Sequence, residues 1–359
     1  MSQMNMNISL MILLKKLGEK MDFKEVLINA KNNIGPYCKA CNVCNGYGCK
    51  GQIPGPGAKG RGDGAIKNYE AWSEYRINMD TISDIQVAST DVTFFGHHFK
   101  APIFAGPVGA VKSHYGDKYS DMEYNKIMLE QMVDDGLLAF TGDGKNESVV
   151  IEACMALDKL GGKGIPTIKP WDIPTMKRKI DLANKANCLA IACDIDASGL
   201  PFLKNNNPPA GAKTTSELKE IIEYAKKPFI IKGIMTVKGA LKAIEAGASA
   251  IVVSNHGGRV LDDAMPTALV LPQIVKVVAK KCLVFVDGGI RSGADIFKAL
   301  ALGADGVLIA RPYAVALYGN EKEGIHCYSQ KLISELEDVM LMAGAKSIED
   351  IKPEMITKI

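Results

Sequence analysis

The chain has 359 residues, of which 47% are hydrophobic and 23% are charged, as is typical of a soluble globular protein. Its 43 basic and 40 acidic residues nearly balance, and no run of lysine and arginine interleaved with aromatic residues is present, so we do not expect nucleic acid as a partner. The length suits either two domains or one α/β barrel of about 250 residues with additions.

The N-terminus contains one short apolar run, ISLMILL at residues 8–14, followed by two lysines. This run is too short to span a bilayer, and its positive charges follow it, whereas they precede the apolar part of a signal peptide. We therefore expect a cytoplasmic protein without a membrane segment. The first 20 residues are predicted to be a weakly ordered extension or the result of a misplaced start.

Residues 21–36 have the spacing of a short helix that ends at a Gly-Pro pair. A cysteine-rich stretch follows, and then residues 52–64, which are too rich in glycine and proline to form regular structure. Residues 66–79 return to a helical spacing. Residues 91–99 predict a hairpin that turns at its central glycine and covers the bottom of a barrel.

From residue 102 onward, short apolar stretches alternate with amphipathic ones. Strands are predicted at residues 102–105, 137–141, 164–168, 188–194, 228–232, 249–254, 283–287 and 305–310. Helices are predicted at residues 121–135, 172–186, 215–226, 236–246, 269–280 and 292–302. This alternation implies parallel strands, and a count of eight favours a closed (β/α)8 TIM barrel over a doubly wound open sheet. We therefore expect an α/β protein with an N-terminal helical, Cys- and Gly-rich extension (1–90) and a barrel (91–359).

The central motif of the chain is IVVSNHGGRVLD at residues 251–262. Its apolar start is typical of a buried parallel strand that delivers polar residues to its C-terminal end. His256 can exchange a proton near neutral pH, and Arg259 offers a rigid fork of donors suited to a carboxylate. Gly257 and Gly258 allow the backbone to turn both side chains toward one pocket. A proton acceptor beside an anion-binding group predicts an enzyme that acts on a small acid.

Other polar residues also follow predicted strand ends, where the active sites of TIM barrels lie. They are Asp194, Asp196, Lys232, Asp287 and Arg311. The loops after the seventh and eighth strands read DGGIRSG (287–293) and ARP (310–312), and such loops form the common phosphate site of these barrels. Two adjacent glycines expose backbone N–H groups to an anion, a helix begins just after them, and Arg291 and Arg311 add positive charge.

Three motifs together point to a known family: SNHGGR at 254–259, IKGI at 231–234, and DGGIRSGADIFKALALGADGVLIARP at 287–312. They resemble the motifs of the FMN-dependent α-hydroxy-acid oxidases and dehydrogenases, which include glycolate and lactate oxidases. The similarity runs from about residue 64 to residue 351. The SNHGGR motif makes the resemblance specific, because DGGIR with a following arginine also occurs in other FMN barrels.

The resemblance implies that FMN is the cofactor and that His256 is the active-site base, with Asp196 orienting and stabilising its imidazolium. Arg259 would bind the substrate carboxylate, and Lys232 would lie near the N1/O2 edge of the flavin and stabilise the anionic reduced ring. The implied cofactor-binding residues, of which the last four would hold the phosphate, are Pro107, Val108, Gly109, Thr141, Lys232, Ser254, Asp287, Gly288, Gly289, Arg291, Ala310 and Arg311.

The chain departs from the family in the substrate half of the site. Family members have a tyrosine in the N-terminal segment and another at the end of the third barrel strand. Here residues 55–64 contain no tyrosine, and the position after the third predicted barrel strand (164–168) falls near Lys169. A second carboxylate-binding arginine normally lies in the loop after the fourth barrel strand, which is predicted here at residues 188–194. No arginine occurs between Asp196 and Lys213. Lys169 is therefore a candidate replacement cation that binds the substrate.

The resulting prediction is FMN-dependent oxidation of a small, lactate-like 2-hydroxy acid, with hydride or electron transfer to flavin N5 and an electron acceptor that the motifs do not identify. The missing tyrosines and arginine keep a second hypothesis open, an FMN barrel with net non-redox chemistry similar to the type-2 isopentenyl-diphosphate isomerases. A flavin-binding regulatory barrel without turnover is a third. Because the family often forms tetramers or octamers, the resemblance also implies a homo-oligomer.

Four of the nine cysteines form a cluster with the spacing C-x2-C-x2-C-x4-C, namely Cys38, Cys41, Cys44 and Cys49. This spacing resembles that of a 4Fe–4S site with cysteine ligands, while VCNGYGC at residues 43–49 also resembles half of a zinc-binding repeat. Three interpretations stay open: an iron–sulfur cluster, a structural zinc ion, or a set of thiols without a metal.

Overall fold

Parallel strands in the described part of the chain close into a barrel of eight, which confirms the predicted TIM barrel. The computed structural model describes residues 21–53, 55–200, 203, 207 and 209–359. The expectations for residues 1–20 lie outside the described residues, as does part of the loop after Asp196. The strands are β1 (Tyr75–Ile77), β2 (Val92–Phe94), β3 (His97–Phe99), β4 (Ile103–Ala105), β5 (Leu138–Thr141), β6 (Ile165–Ile168), β7 (Ile191–Asp194), β8 (Phe229–Ile234), β9 (Ala250–Val253), β10 (Leu283–Asp287), β11 (Gly306–Ile309) and β12 (Ile356–Lys358).

The barrel runs in chain order from β4 to β11, and it closes where β11 pairs in parallel with β4 through Val307 and Ile103. Each predicted strand is present, with ends shifted by a few residues. The strands are short apolar runs because both of their faces are covered, one by the barrel interior and the other by helices. In β9, for example, all four residues are buried.

The helices that surround the barrel follow the predicted positions, with three additions. They are α1 (Phe23–Asn33), α2 (Asp63–Ala71), α3 (Val111–Tyr115), α4 (Asp121–Asp134), α5 (Ser148–Lys159), α6 (Ile173–Lys185), α7 (Thr215–Ala225), α8 (Val237–Glu245), α9 (Thr267–Val278), α10 (Gly293–Ala301) and α11 (Arg311–Ala343). The sequence pattern did not predict α3, α5 or α11. Helix α11 is interrupted at Asn320 and Glu321, whose backbone angles are not helical. Within the described residues, none of these helices has the length and apolar character needed to cross a membrane.

The predicted hairpin is also present, and it closes the end of the barrel at which β4 begins. Strands β2 and β3 pair antiparallel around Gly96, which has a φ angle of 78°. Phe94 of the hairpin packs against Phe104 of β4 and Phe285 of β10, with ring centroids 5.5 and 5.3 Å apart. The bottom of the barrel is therefore an aromatic core that the hairpin completes.

The helix predicted over residues 66–79 ends early, which corrects that prediction. Helix α2 stops at Ala71, and residues 75–77 form β1, which pairs antiparallel with β12 at the C-terminus. Tyr75 lies opposite Lys358 in this pair. The partner strand is almost 300 residues away along the chain, so local spacing could not reveal it.

The described part of the N-terminal segment packs on the barrel, as two of its contacts illustrate. Helix α1 lies against α11, where Phe23 stacks on Tyr328 with ring centroids 4.8 Å apart. The glycine-rich segment before α2 reaches the loop that follows β9, because the Lys59 N–H donates to the Gly258 carbonyl at 2.9 Å. The division of the chain at residue 90 stays a prediction, but residues 55–68 before it contact the loops at the mouth of the barrel.

We expect Phe285→Ala to lower the free energy of unfolding by about 3–5 kcal/mol, because it opens a cavity in the aromatic core under the barrel. Thermal and denaturant unfolding of the full chain measure this loss. Ile82→Ala is the control, since Ile82 is 96% exposed and its truncation removes little buried surface. Equal effects of the two substitutions would contradict the assignment of Phe285 to the core.

Candidate active site

The C-terminal ends of the barrel strands surround a cavity of about 570 Å³, a size usual for small-molecule sites. The predicted site residues that line it are Pro107, Val108, Gly109, Lys169, Lys232, His256, Arg259, Asp287, Gly288, Gly289, Arg291, Ala310 and Arg311. Thr141 and Ser254 are buried behind this surface, and Asp196 contacts it through His256. The structure thus brings the predicted residues from strand ends around the barrel to one pocket.

Lys232 in β8 is the centre of a buried network of ion pairs. Its Nζ lies 3.1 Å from Asp194 Oδ1 and 3.4 Å from Asp287 Oδ2. Lys169 Nζ lies 3.7 Å from Asp194 Oδ2. Burial by itself favours the neutral amine, but the carboxylates of Asp194 and Asp287 outweigh burial and raise the pKa of Lys232. Lys232 therefore keeps a positive charge on the cavity wall.

His256 directs its Nδ1 at two carboxylates. Nδ1 lies 3.1 Å from Asp196 Oδ1 and 3.4 Å from Asp194 Oδ1. Burial disfavours the imidazolium, but these carboxylates outweigh burial and raise the pKa of His256. Burial also raises the pKa of Asp196, whereas at Asp194 the effect of burial is overcome by the charges of His256 and Lys232, which hold the pKa well below its ordinary value. Since Nδ1 is engaged, Nε2 is the ring nitrogen left to exchange a proton with a bound molecule.

The loop that carries His256 is held in an unusual backbone conformation. His256 and the two glycines after it have φ angles of 57°, 63° and 81°, in the left-handed region that glycine adopts more readily than histidine. The His256 N–H donates to Ser254 Oγ at 3.1 Å. Asn255 exchanges two side-chain hydrogen bonds with Asn68 of α2, at 2.7 and 3.0 Å. These bonds fix the direction of the imidazole, and they give Asn68 a role that the sequence did not indicate.

Arg259 contacts the glycine- and proline-rich segment at the barrel mouth. Its Nη1 donates to the carbonyl oxygens of Gly55 and Gly57, the latter at 3.1 Å. Burial, together with the charge of Arg311, lowers the pKa of Arg259 to about 10, so the guanidinium is still charged at neutral pH. Because it has further N–H donors and lines the cavity, it is able to bind a carboxylate there.

Arg291 and Arg311 make one end of the cavity positively charged. The guanidinium of Arg311 donates to the carbonyls of Pro56 and Gly257, both at 3.4 Å, while Arg291 Nε donates to the Cys44 carbonyl at 2.6 Å. These are neutral partners, so both guanidinium charges remain for an anion. The glycine at 289 has a packing role as well, since a Cβ there would lie 2.1 Å from the Asn68 carbonyl oxygen.

The groups at this cavity fit a flavin nucleotide. Thr167 Oγ1 and Asp287 Oδ1 are buried and have no hydrogen-bond partner among the described residues, and both residues line the cavity. Buried polar atoms are normally paired, so these two atoms suit a ligand with polar edges. A phosphate fits the opposite charge of Arg291 and Arg311. The predicted FMN residues thus provide a polar wall and a cationic end.

His114 is a residue of this site that no motif revealed. It lies in α3 and lines the cavity, and its Nδ1 accepts a hydrogen bond from the Gly55 N–H at 3.1 Å. Burial, together with the charges of Arg259 and Lys169, lowers the pKa of His114 to about 3. The ring is therefore neutral, and Nε2 carries the proton and can donate it in a hydrogen bond. Only its position in the loop after the first barrel strand could have suggested such a role.

Asp143 fixes the backbone at Lys169. The carboxylate accepts hydrogen bonds from the Lys169 N–H at 3.0 Å, from Trp171 Nε1 at 2.7 Å and from Lys179 Nζ at 2.6 Å. All of these groups are buried. The ammonium of Lys179 balances the charge of Asp143, so the loop after β6 holds Lys169 in a defined place.

The cysteine cluster lies next to this cavity but forms a separate site. The structure brings the four thiols around one small cavity of their own, and the residues that line both cavities are Pro56 and Arg311. The cysteines are all free and partly exposed. Among the described residues, the group of three whose potential metal-ligand atoms lie within 4.8 Å of one another is Asp194, Asp196 and His256, and no three of the clustered thiols meet that distance.

Comparisons with known proteins find a family model and several relatives that match most of the chain. The family model described as FMN-dependent dehydrogenase matches residues 56–201 and 203–358. A peroxisomal (S)-2-hydroxyacid oxidase of Arabidopsis thaliana is 47% identical over 316 residues, covering 79% of this chain and 85% of the relative. A 4-hydroxymandelate oxidase of Amycolatopsis orientalis is 29% identical over 325 residues, covering 81% and 89%. The structure of a putative lactate oxidase of Pediococcus acidilactici superimposes with a TM-score of 0.77 at 26% identity, covering 95% of this chain and 96% of that one.

We expect Asp196→Asn to lower the pKa of His256, because the substitution removes one of the two negative charges that raise it. In the wild-type protein the imidazolium should persist above the ordinary histidine pKa of about 6.5. Titration of histidine-labelled full chain by NMR measures both values.

Asp181→Asn is the matched control, since this carboxylate is exposed and binds Tyr224 at 2.9 Å on the outside of the barrel. It should leave the His256 titration unchanged. An unaltered pKa in Asp196→Asn would show that Asp196 does not stabilise the imidazolium.

Proposed function

This chain belongs to the family of FMN-dependent dehydrogenases, an oxidoreductase family with FMN as cofactor, and on that basis we propose that it oxidises a small, lactate-like 2-hydroxy acid with His256 as the base. One observation carries the proposal. The imidazole of His256, backed by Asp196 at 3.1 Å, lines the same cavity as the cations Arg259 and Lys232. A 2-hydroxy acid has a hydroxyl proton for the base and a carboxylate for a cation.

In the proposed reaction, Nε2 of His256 takes the proton of the substrate hydroxyl. The imidazolium that forms is stabilised by Asp196 and Asp194, which already raise its pKa before substrate binds. FMN, when bound, would supply the acceptor for the hydride, that is the hydrogen and the two electrons that leave the substrate carbon, so that a 2-oxo acid remains. Lys232 keeps a positive charge on the wall of the cavity, where it would stabilise an anionic cofactor ring.

We assign binding of the substrate carboxylate to Arg259, with Lys169 and His114 in support. Lys169 is nearly buried and pairs with Asp194 at a long 3.7 Å, so its ammonium has donors left for a ligand. His114 is neutral, because its pKa is lowered to about 3, so it adds an N–H donor to the cavity without adding a positive charge. Lys169 falls near the position of one of the family's missing tyrosines, and His114 adds a further donor to the same cavity.

The residues assigned to FMN are those predicted from the motifs. Arg291 and Arg311 would hold the phosphate with backbone groups of Gly289 and Ala310, and Lys232 would face the ring. The other assigned residues are Pro107, Val108, Gly109, Thr141, Ser254, Asp287 and Gly288. Support comes from the unpaired Asp287 Oδ1 and from the two guanidinium groups, whose partners in the structure are neutral carbonyls.

The alternative of a net non-redox reaction is not favoured. The matching family model is that of a dehydrogenase, and the relatives described above are named as oxidases of hydroxy acids. The sequence departures that kept this alternative open are offset by Lys169 and His114 at the cavity wall. A homo-oligomer, an unidentified electron acceptor and a cytoplasmic location stay predictions, and the Arabidopsis relative is named as peroxisomal.

We expect anaerobic addition of a small 2-hydroxy acid to bleach the visible absorbance of bound flavin. A panel of glycolate, lactate, 2-hydroxybutyrate and mandelate identifies the substrate by the rate of bleaching. His256→Gln should slow bleaching by about 10²–10⁴-fold, because general bases contribute this much, while flavin content is unchanged. His97→Gln, at an exposed position of the hairpin, is the control. Full flavin occupancy without bleaching by any acid would contradict the proposed reaction.

We expect Lys169→Met to raise KM for the hydroxy acid by about 10–100-fold, because it removes a charged donor to the carboxylate. Lys169→Arg should restore part of the loss, since it keeps the charge. Lys163→Met, at an exposed position six residues earlier, should leave KM unchanged. If KM for Lys169→Met equalled the wild-type value while the protein stayed folded, Lys169 would not bind substrate.

A further inference from the structure

The cysteine cluster is the one motif that the proposed oxidation does not use. Its residues, Cys38, Cys41, Cys44 and Cys49, are contributed by a short irregular segment between α1 and α2, and all four thiols line one small cavity. Four thiols from twelve consecutive residues around one cavity are the donor set of a metal centre.

We propose that this cavity binds a 4Fe–4S cluster, with one thiolate from each of the four cysteines. The spacing C-x2-C-x2-C-x4-C resembles that of cysteine-ligated 4Fe–4S sites, and the fold brings all four thiols of this segment to the same cavity. The site stands apart from the hydroxy-acid pocket and does not depend on which reaction that pocket performs.

A 4Fe–4S cluster and a zinc ion differ in what the four thiolates hold. Four thiolates complete the coordination of a single zinc ion, whereas the cluster contains four iron atoms and four sulfides. The iron and sulfide content of the protein therefore separates the two centres.

The backbone of the segment is shaped around the thiols. A Cβ at Gly48 would lie 2.8 Å from Cys41 Sγ, so a glycine is needed for the chain to pass this close to the sulfur. Gly46 has a φ angle of 95° and begins the 3-10 helix Tyr47–Cys49, which turns Cys49 back toward the other cysteines. Glycine is therefore favoured at both positions by the backbone path that brings the cysteines to the cavity.

Positive groups surround the site, as an anionic cluster requires. Arg291 Nη2 lies 3.8 Å from Cys44 Sγ and Nε of the same residue donates to the Cys44 carbonyl at 2.6 Å. Lys39 and Arg311 line the cavity. A cluster with four thiolates carries net negative charge, and hydrogen bonds and charges near the sulfur atoms stabilise it and tune its potential.

The test uses the full chain purified without oxygen and, in a second sample, reconstituted with ferrous iron and sulfide. We expect about four iron atoms and about four sulfides per chain, as a 4Fe–4S cluster contains. A broad visible absorbance beyond that of flavin should accompany them, and dithionite should produce the EPR signal of a one-electron-reduced cluster. Zinc bound without sulfide, or neither metal after reconstitution, would overturn the proposal.

Two variants locate the cluster. Cys41→Ser combined with Cys44→Ser should reduce iron and sulfide below about a tenth of the wild-type content, because half of the ligands are lost. Cys327→Ser, whose thiol lies on α11 away from the cavity, should keep the full content. Equal iron in both variants would place the metal elsewhere. The metal content of the wild-type chain decides the matter even if the double variant does not fold, and it is measured without any hydroxy acid.

Discussion

The balance of buried charge at the mouth of the barrel is the constraint on which the rest of the site depends. Three carboxylates face two ammonium groups and one imidazole in this network, namely Asp194, Asp196, Asp287, Lys232, Lys169 and His256. A buried charge without a partner is costly, so no member is independent of the others. With a neutral imidazole the carboxylates are in excess, and protonation of His256 restores the balance. The carboxylates therefore outweigh burial and raise the pKa of His256, while burial raises the pKa of Asp196.

The same balance has a consequence for proton transfer. A base that must accept a proton during the reaction benefits from surroundings in which its charged form is already compensated. Asp194 Oδ1 lies 3.1 Å from Lys232 Nζ and 3.4 Å from His256 Nδ1. One carboxylate therefore connects the lysine assigned to the cofactor with the histidine assigned to the substrate. The left-handed backbone at His256 and the hydrogen bonds of Asn255 hold the imidazole in this position. Strain in the loop is thus part of what places the base.

The sequence predicted those parts of the molecule that follow from local pattern. Eight apolar strands and the polar residues that end them were sufficient to expect a barrel and to place Lys232 and His256 at one mouth. The β1–β12 pair was not predictable, since it joins distant parts of the chain. His114 and Asn68 were missed for a related reason. His114 contacts Gly55 and Asn68 contacts Asn255, and both contacts join the N-terminal segment to the barrel. The local hydrophobic pattern of the sequence does not indicate contacts between such distant residues.

Arg311 stands between the two cavities and links the two proposals of function and metal binding. It lines both of them, and the Pro56 carbonyl that it contacts belongs to the same dividing wall. A phosphate on one side and an anionic cluster on the other would share one guanidinium, so each would weaken the attraction available to the other unless further cations were present. Arg291 supplies such a charge, since its guanidinium lies at Cys44 on one side and lines the larger cavity on the other. Arg291, in the loop after β10, and Arg311, at the start of α11, therefore suit a mouth that holds two anionic groups close together.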